Sequence, residues 1–192
     1  MNLSAALASE FATRQVMAER FPMLTHHGIA DADRIIHSHF LSYLAVLAQV
    51  LGYSGIAECP LPLAPGSRWA RLGEVRPDSV WFDKVDNTPL AAFEFERFER
   101  GDEMNLRTKI ENLDIAYLRS DKRLQVAVLV YWVRSGVAAQ TALREASSGY
   151  RVGFVRRGLR VPPAGCPLLV FKCTWRATPG GLVVSDILPV EV

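Results

Sequence analysis

The sequence predicts an α/β protein: a mixed β-sheet flanked by helices. Three features carry that expectation. Apolar residues recur at helical spacing through the first 52 residues. Between 76 and 99 the pattern changes to period two and to β-formers. From there helix-like and strand-like stretches alternate towards the C-terminus. The 192 residues suit a single domain, 1–192, and 49% of them are apolar, enough for a core without disulfide or metal staples.

Residues 3–20 read as one helix with Ser4 as its cap. A turn around "THHGIAD" leads to a second helix, capped by Asp31 or Asp33 and ended by Gly52 and Gly55. Its apolar stripe is Ile35, Ile36, Phe40, Tyr43, Leu44 and Leu47. Residues 56–70, rich in proline and glycine, read as loop with short extended pieces. "SVWFDKV" and "LAAFEFERF" are strands joined by "DNTP". Residues 102–119 return to helix, with Leu106, Ile110, Leu113 and Tyr117 on the buried face. "LQVAVLVYWV" is apolar enough for a central strand covered on both sides. "GVAAQTALREASS" is helical and "PLLVFKCTW" a further strand. The strand–helix–strand from about 90 to 133 should be a right-handed crossover between parallel strands.

The net charge of +2 says little, but its distribution is uneven. No acid occurs between Glu145 and Asp186, an interval holding Arg151, Arg156, Arg157, Arg160, Lys172 and Arg176. A one-signed segment of this kind suits a polyanion, and "RVGFVRRGLR" with Tyr150 and Phe154 interleaved suits nucleic-acid phosphates. A solvated basic face is the plainer account. Cys59, Cys166 and Cys173 have no metal-type spacing and fit buried thiols in a reducing compartment. Glu10, Arg14, Glu19 and Arg20 interrupt any signal peptide, and the longest apolar run, "FLSYLAVLAQVL", is too short to span a bilayer. The expectation is a soluble cytoplasmic protein with no membrane partner.

The second hairpin strand carries acids where a core strand should not. Side chains alternate along a strand, so Glu94 and Glu96 share one face while Phe93 and Phe95 point into a core. A three-residue loop at 85–87 sets Asp78 opposite Glu94; one at 86–88 sets it opposite Glu96. A two-residue loop at Asp86-Asn87 sets it opposite Phe95, on the wrong face, so convergence requires an odd loop or a bulge. Three carboxylates on one face repel, and a divalent cation would relieve that. Carboxylates are the ligand type of Mg2+ or Mn2+. The plainer account is a solvated sheet end paired with Arg97, Arg100 or Arg107. Glu74, four residues before Asp78 on the same expected strand, lies too far along it to be a ligand.

The Pro77-Asp78 pair, the hairpin and the acid-x-acid strand resemble the PD-(D/E)XK, or restriction-endonuclease-like, nuclease superfamily. That family's core runs helix, three strands, helix, strand (αβββαβ), the order expected here over about 33–133, with 1–52 as a helical N-terminal part and 134–192 as a C-terminal helix, strand and basic segment. The resemblance implies a Mg2+-dependent (or Mn2+-dependent) endonuclease hydrolysing phosphodiesters of DNA, compatible with a homodimer. It implies Asp78 and Glu94 as metal ligands and Glu96 as a further ligand or base; the arginine-rich stretch itself supplies Arg151, Arg156, Arg157 and Arg160 as the expected nucleic-acid contacts. The family's usual lysine is replaced by Glu96. In some members the lysine moves to the following helix, and Lys109 in "LRTKIENLDIAYL" is the residue placed for it. The alternative is a nuclease-like fold without catalysis that binds nucleic acid or a protein partner. In that family an acid from the preceding helix or loop often completes the site, which by resemblance points to Asp33 or Glu58. His26, His27, His37 and His39 suggest zinc weakly, because His37 and His39 point to different sides of a helix. No phosphate-binding glycine loop or nucleophile elbow is present in the sequence.

Overall fold

The computed structural model describes residues 2–63, 66–99, 101–134 and 139–192. In chain order the elements are α1 (Leu3–Thr13), α2 (Gln15–Arg20), a π-turn (Met23–His27), α3 (Asp33–Val50) and β1 (Ser54–Ala57). A 3-10 turn (Arg68–Leu72), β2 (Ser79–Phe82), β3 (Pro89–Arg97), α4 (Glu103–Arg119), β4 (Val126–Arg134) and α5 (Gln140–Val152) follow. The chain continues through β5 (Phe154–Arg156), β6 (Leu159–Val161), β7 (Leu168–Thr178) and β8 (Gly181–Pro189).

Six strands form one mixed sheet in the order β1-β2-β3-β4-β7-β8. Its centre, β3-β4-β7, is parallel, and both margins are antiparallel. The expected parallel pairing across α4 is therefore present, and β4 is buried along all but its last residue. Two apolar layers cover the sheet. Phe93, Phe95, Val128 and Val130 pack with α1, α2 and α3. Ala92, Ala127, Leu129 and Tyr131 face Leu106, Ile110 and Leu113 of α4 and Leu143 of α5. Glu94 and Glu96 follow Ala92 at period two, so they point to the α4 side.

Several sequence expectations need correction. The 3–20 helix is broken at Arg14, which adopts a left-handed conformation (φ 54°, ψ 31°) and donates to the carbonyls of Val184, at 3.2 Å, and Ser185. The Glu10 carboxylate then accepts the N–H groups of Val16 and Met17 and the Tyr43 hydroxyl, supplying the start of α2. The apolar pattern runs through the break because both pieces bury one face on the same core. Asn2, not Ser4, caps α1. Neither Asp31 nor Asp33 caps α3: Asp31 pairs with Arg134 and Asp33 with Arg97, tying the helix start to strand ends. Ile35 is exposed rather than on the buried stripe, and Tyr117 is half-buried. Glu74 lies outside any strand. The 56–70 loop contains the rest of β1 and the start of the 3-10 turn, and the expected 136–148 helix begins among residues outside those described. The β5–β6 hairpin and β8 are additional elements. Arg157 and Gly158, both at positive φ, make the two-residue turn that right-twisted strands favour. No helix among the described residues is long and apolar enough to cross a membrane.

One buried acid on α4 stands outside every network. Asp114 is wholly buried, near Tyr150 of α5 and Cys166, and neither carboxylate oxygen has a hydrogen-bond partner. Burial, helped by nearby Glu111, pushes its carboxyl up to about 8. Below the unfolded value near 4 both states hold the proton. Above it only the folded state does, so stability falls as pH rises from about 4 through about 8. Asp114→Leu should raise stability by about 2 kcal/mol at pH 8 and flatten that decline, read by urea unfolding at several pH values.

Candidate active site

Asp78 immediately precedes β2, and the β2–β3 register decides what it meets. Ser79 opposes Phe93 and Val80 opposes Ala92, so the next position outward sets Asp78 against Glu94. That is the register of the odd 85–87 loop. It is reached through a bulge between Trp81 and Phe82 and a wider turn, in which Asp83 N–H bonds to Thr88 O and Asn87 is left-handed. The Asp78 Oδ2 atom accepts the Phe95 N–H at 2.8 Å, which fixes the carboxylate against β3.

Lys109 arrives from α4, seated by Leu106, Ile110 and Leu113. Its Nζ lies 2.6 Å from Glu94 Oε2, 3.1 Å from Asp78 Oδ2 and 3.7 Å from Glu96 Oε2. The three acids therefore converge on one ammonium, which the Asp78 and Glu94 carboxylates share most closely. Among the described residues the alternative pairing does not form. Arg97 is engaged by Asp33 and Glu99, Arg107 by Glu111, and Arg100 lies outside the described residues.

Two further side chains join the cluster. His37 on α3 places Nε2 3.4 Å from Asp78 Oδ1. Phe40, one turn on, stacks on Phe95 at 3.9 Å between ring centres and holds α3 against β3. His37 therefore belongs with the acids, not with His39. Asn112, three residues after Lys109 on the same helix face, donates its Nδ2 to Glu94 Oε1 at 3.5 Å. Sequence reading missed both, although the i+3 spacings to Phe40 and from Lys109 were there to read. A cleft of about 410 Å³ opens beside the centre, lined by Asp33, His37, Glu58, Glu96, Arg97 and Trp132. Glu58 thus shares a cleft with Glu96, while Asp33 is committed to Arg97.

The electrostatics divide the acids. Burial pushes the Asp78 carboxyl up, but the His37 hydrogen bond, the Lys109 ammonium and the Phe95 N–H outweigh it and hold it at about 2. Glu94 is fully buried, and burial with the Asp78 charge beside it pushes its carboxyl well above the usual range despite Lys109. Glu96 rises too, mainly through burial. Burial opposes the charge on Lys109, yet Glu94 and Asp78 reverse that and hold it firmly protonated.

The donor set suits a hard divalent cation, since every ligating atom would be a carboxylate oxygen. Among the described residues no group of three His, Cys, Asp or Glu side chains is arranged to hold a metal ion, and the Lys109 ammonium lies against the Asp78 and Glu94 oxygens. Mg2+ or Mn2+ at Asp78 and Glu94 fits only with Lys109 turned aside on its four-carbon stem.

The arginines are not equivalent. Arg156 donates to Asn112 Oδ1 at 2.9 Å, Arg151 bonds to Ser147, the Arg157 guanidinium lies against Gly73, and Arg160 is exposed. The aromatic residues expected among them are core: Tyr150 and Phe154 are both buried, so neither offers a face for stacking.

Fold and site together define an α/β protein with a lysine-bridged triple-carboxylate centre between a β-hairpin and the helix that follows it. Compared with known proteins, the chain matches no family model, no curated protein and no solved structure.

Asp78 contributes stability above the usual aspartate range that is lost as pH falls towards about 2, whereas Glu94 contributes stability at low pH that is lost as pH rises past the usual glutamate value. Glu94→Gln should therefore raise stability by about 1 kcal/mol at pH 7.5. Lys109→Ala, which strands buried carboxylates, should lower it by about 3 kcal/mol. Thermal and urea unfolding check both signs.

Proposed function

We propose that the protein is a metal-dependent nuclease hydrolysing phosphodiester bonds of DNA, an endonuclease of the PD-(D/E)XK kind with its lysine relocated to the helix after the hairpin. The observation that carries the reading is the Lys109 ammonium between Asp78 and Glu94, delivered from α4 and not from β3. The order α3-β1-β2-β3-α4-β4 supports it, since it repeats the family's helix, three strands, helix, strand.

Asp78 and Glu94 would hold Mg2+ or Mn2+, which when bound supplies Lewis-acid stabilisation of the departing oxygen. Glu96, the most accessible of the three acids and poised by burial to take a proton, acts as base to the attacking water. The water oxygen bonds to phosphorus, the phosphorus–oxygen ester bond breaks, the water's proton passes to Glu96, and the alkoxide is reprotonated from solvent. Lys109 stabilises the nascent hydroxide and the charge growing on the phosphoryl oxygens. His37 orients Asp78. The exposed arginines on and beside the β5–β6 hairpin provide the phosphate-binding face.

A second reading, a nucleic-acid-binding module without catalysis, draws on Glu96 in place of lysine and on an ammonium that already neutralises part of the cluster. Plasmid cleavage with Mg2+ or Mn2+ separates the two. The wild type should cleave, Asp78→Ala should be inactive, and Lys109→Ala should be slower by about 10²-fold with binding nearly intact. DNA binding without cleavage under either ion would favour the module. The triple variant Arg156, Arg157, Arg160→Ala should bind duplex with a shallower salt dependence, by about 0.9 in log–log slope for each phosphate it no longer neutralises.

A further inference from the structure

Several arginines in this part of the molecule are paired with carboxylates, whereas Arg34, which lines the cleft, is exposed and has no carboxylate partner among the described residues. Arg97 is paired with Asp33 and Glu99, Arg134 with Asp31, Arg76 with Glu58 and Arg107 with Glu111. Arg156 differs: its partner among the described residues is the neutral amide of Asn112. That contact occupies one of five guanidinium N–H donors and leaves the charge uncompensated. Arg156 is half-buried, so its position is fixed without being sealed from solvent.

The hairpin that carries it is also fixed. Gly153, at φ 81°, has no room for a Cβ against the Val161 carbonyl, so the chain enters β5 in a close backbone contact. At the turn, Arg157 rests on Gly73, whose carbonyl accepts from Arg119 of α4. The hairpin is thus tied to α4 through Asn112 at one point and through Gly73 and Arg119 at another.

Asn112 faces two ways. Its Oδ1 accepts from Arg156, which leaves its Nδ2 to face Glu94 Oε1. Arg156, Asn112, Glu94, Lys109 and Asp78 then form one chain of contacts, with an arginine that no described carboxylate neutralises at its outer end.

Resting on the nuclease reading, we propose that Arg156, held by Asn112, anchors the scissile phosphate: it grips a non-bridging oxygen and sets the phosphorus against the Asp78–Glu94–Glu96 centre, while Arg160 contacts flanking backbone. Arg156 is then a substrate-touching residue, and Asn112 a positioning residue that acts through it.

The test uses the intact protein with a short DNA duplex, cleavage in Mg2+ and equilibrium binding with and without Ca2+, a hard oxygen-seeking cation. Arg156→Ala should lower turnover by about 10²-fold while raising the duplex Kd by less than about fivefold, and Arg156→Lys should recover part of the turnover. Arg160→Ala should instead raise Kd and reduce the salt slope by about 0.9. Asn112→Ala should slow turnover, and the double variant Asn112→Ala/Arg156→Ala should be no slower than Arg156→Ala, because both remove one device. Ca2+ should tighten duplex binding in the wild type and not in Arg156→Ala. Additive losses in the double variant, or an Arg156→Ala effect confined to Kd, would overturn the anchoring role with the nuclease reading intact. A wild type that never cleaves but shows the Ca2+ coupling, lost in Arg156→Ala, would sink the nuclease reading and leave Arg156 as the phosphate anchor.

Discussion

The structure turns on one ammonium between three carboxylates. Glu94 has no solvent exposure and sits in a strand paired on both sides, so its charge cannot be hydrated. An isolated buried carboxylate is unfavourable by several kcal/mol, and the Asp78 carboxylate sits directly beside it. Part of that cost is relieved by the raised affinity of Glu94 for a proton, and the rest is offset by a cation brought to the face. That requires α4 to lie over β3 with Lys109 turned inwards, which its seating on Leu106, Ile110 and Leu113 achieves. The parallel β3–β4 crossover, the cover over the second apolar layer and the geometry of the acids are consequences of one docking arrangement.

That arrangement was legible because each part leaves a periodic trace. Phe93 and Phe95 against Glu94 and Glu96 is a strand with two unlike faces. Leu106, Ile110 and Leu113 define a helix stripe with Lys109 at its edge. A parallel pair separated by one helix has few ways to pack, so strand face and helix stripe had to meet. The Asp78–Glu94 register was narrowed to odd loops or a bulge by parity alone, and the bulge at Trp81 and Phe82 supplies it.

The parts that were not legible depend on contacts distant in sequence. Nothing local marks Arg14 as a helix break; the left-handed turn is held by carbonyls of β8 and by the Glu10 carboxylate. Asp31 and Asp33 look like caps because caps are local, yet each finds an arginine on a far strand. His37 and Asn112 are ordinary helix residues until β2, β3 and the β5–β6 hairpin are placed around them. Tyr150 and Phe154 alternate with arginines in a way that suggests a stacking surface, but α5 and β5 turn them into the core. Residue spacing reports which face of an element a side chain occupies, not which neighbour that face receives.

The acids withdrawn from solvent in this chain are accommodated in three different ways. Glu10 accepts two backbone N–H groups and a tyrosine hydroxyl, so its burial closes a helix break. Asp114 has no partner and is relieved by holding a proton up to about pH 8. The third case is different in kind. Asp78, Glu94 and Glu96 are set against one another around a single lysine, with His37 beside one of them, and the Asp78 charge is one cause of the raised proton affinity of both glutamates. A packed core gains nothing from such a cluster: an apolar trio at these positions would be as easily covered by α4 and would lack the repulsion. The feature that makes the cluster unfavourable for stability, an excess of oxygen donors over cations, is the feature a divalent ion and a phosphate-bound arginine would resolve together. In this protein the strain at the sheet face and the chemistry proposed for it have the same origin.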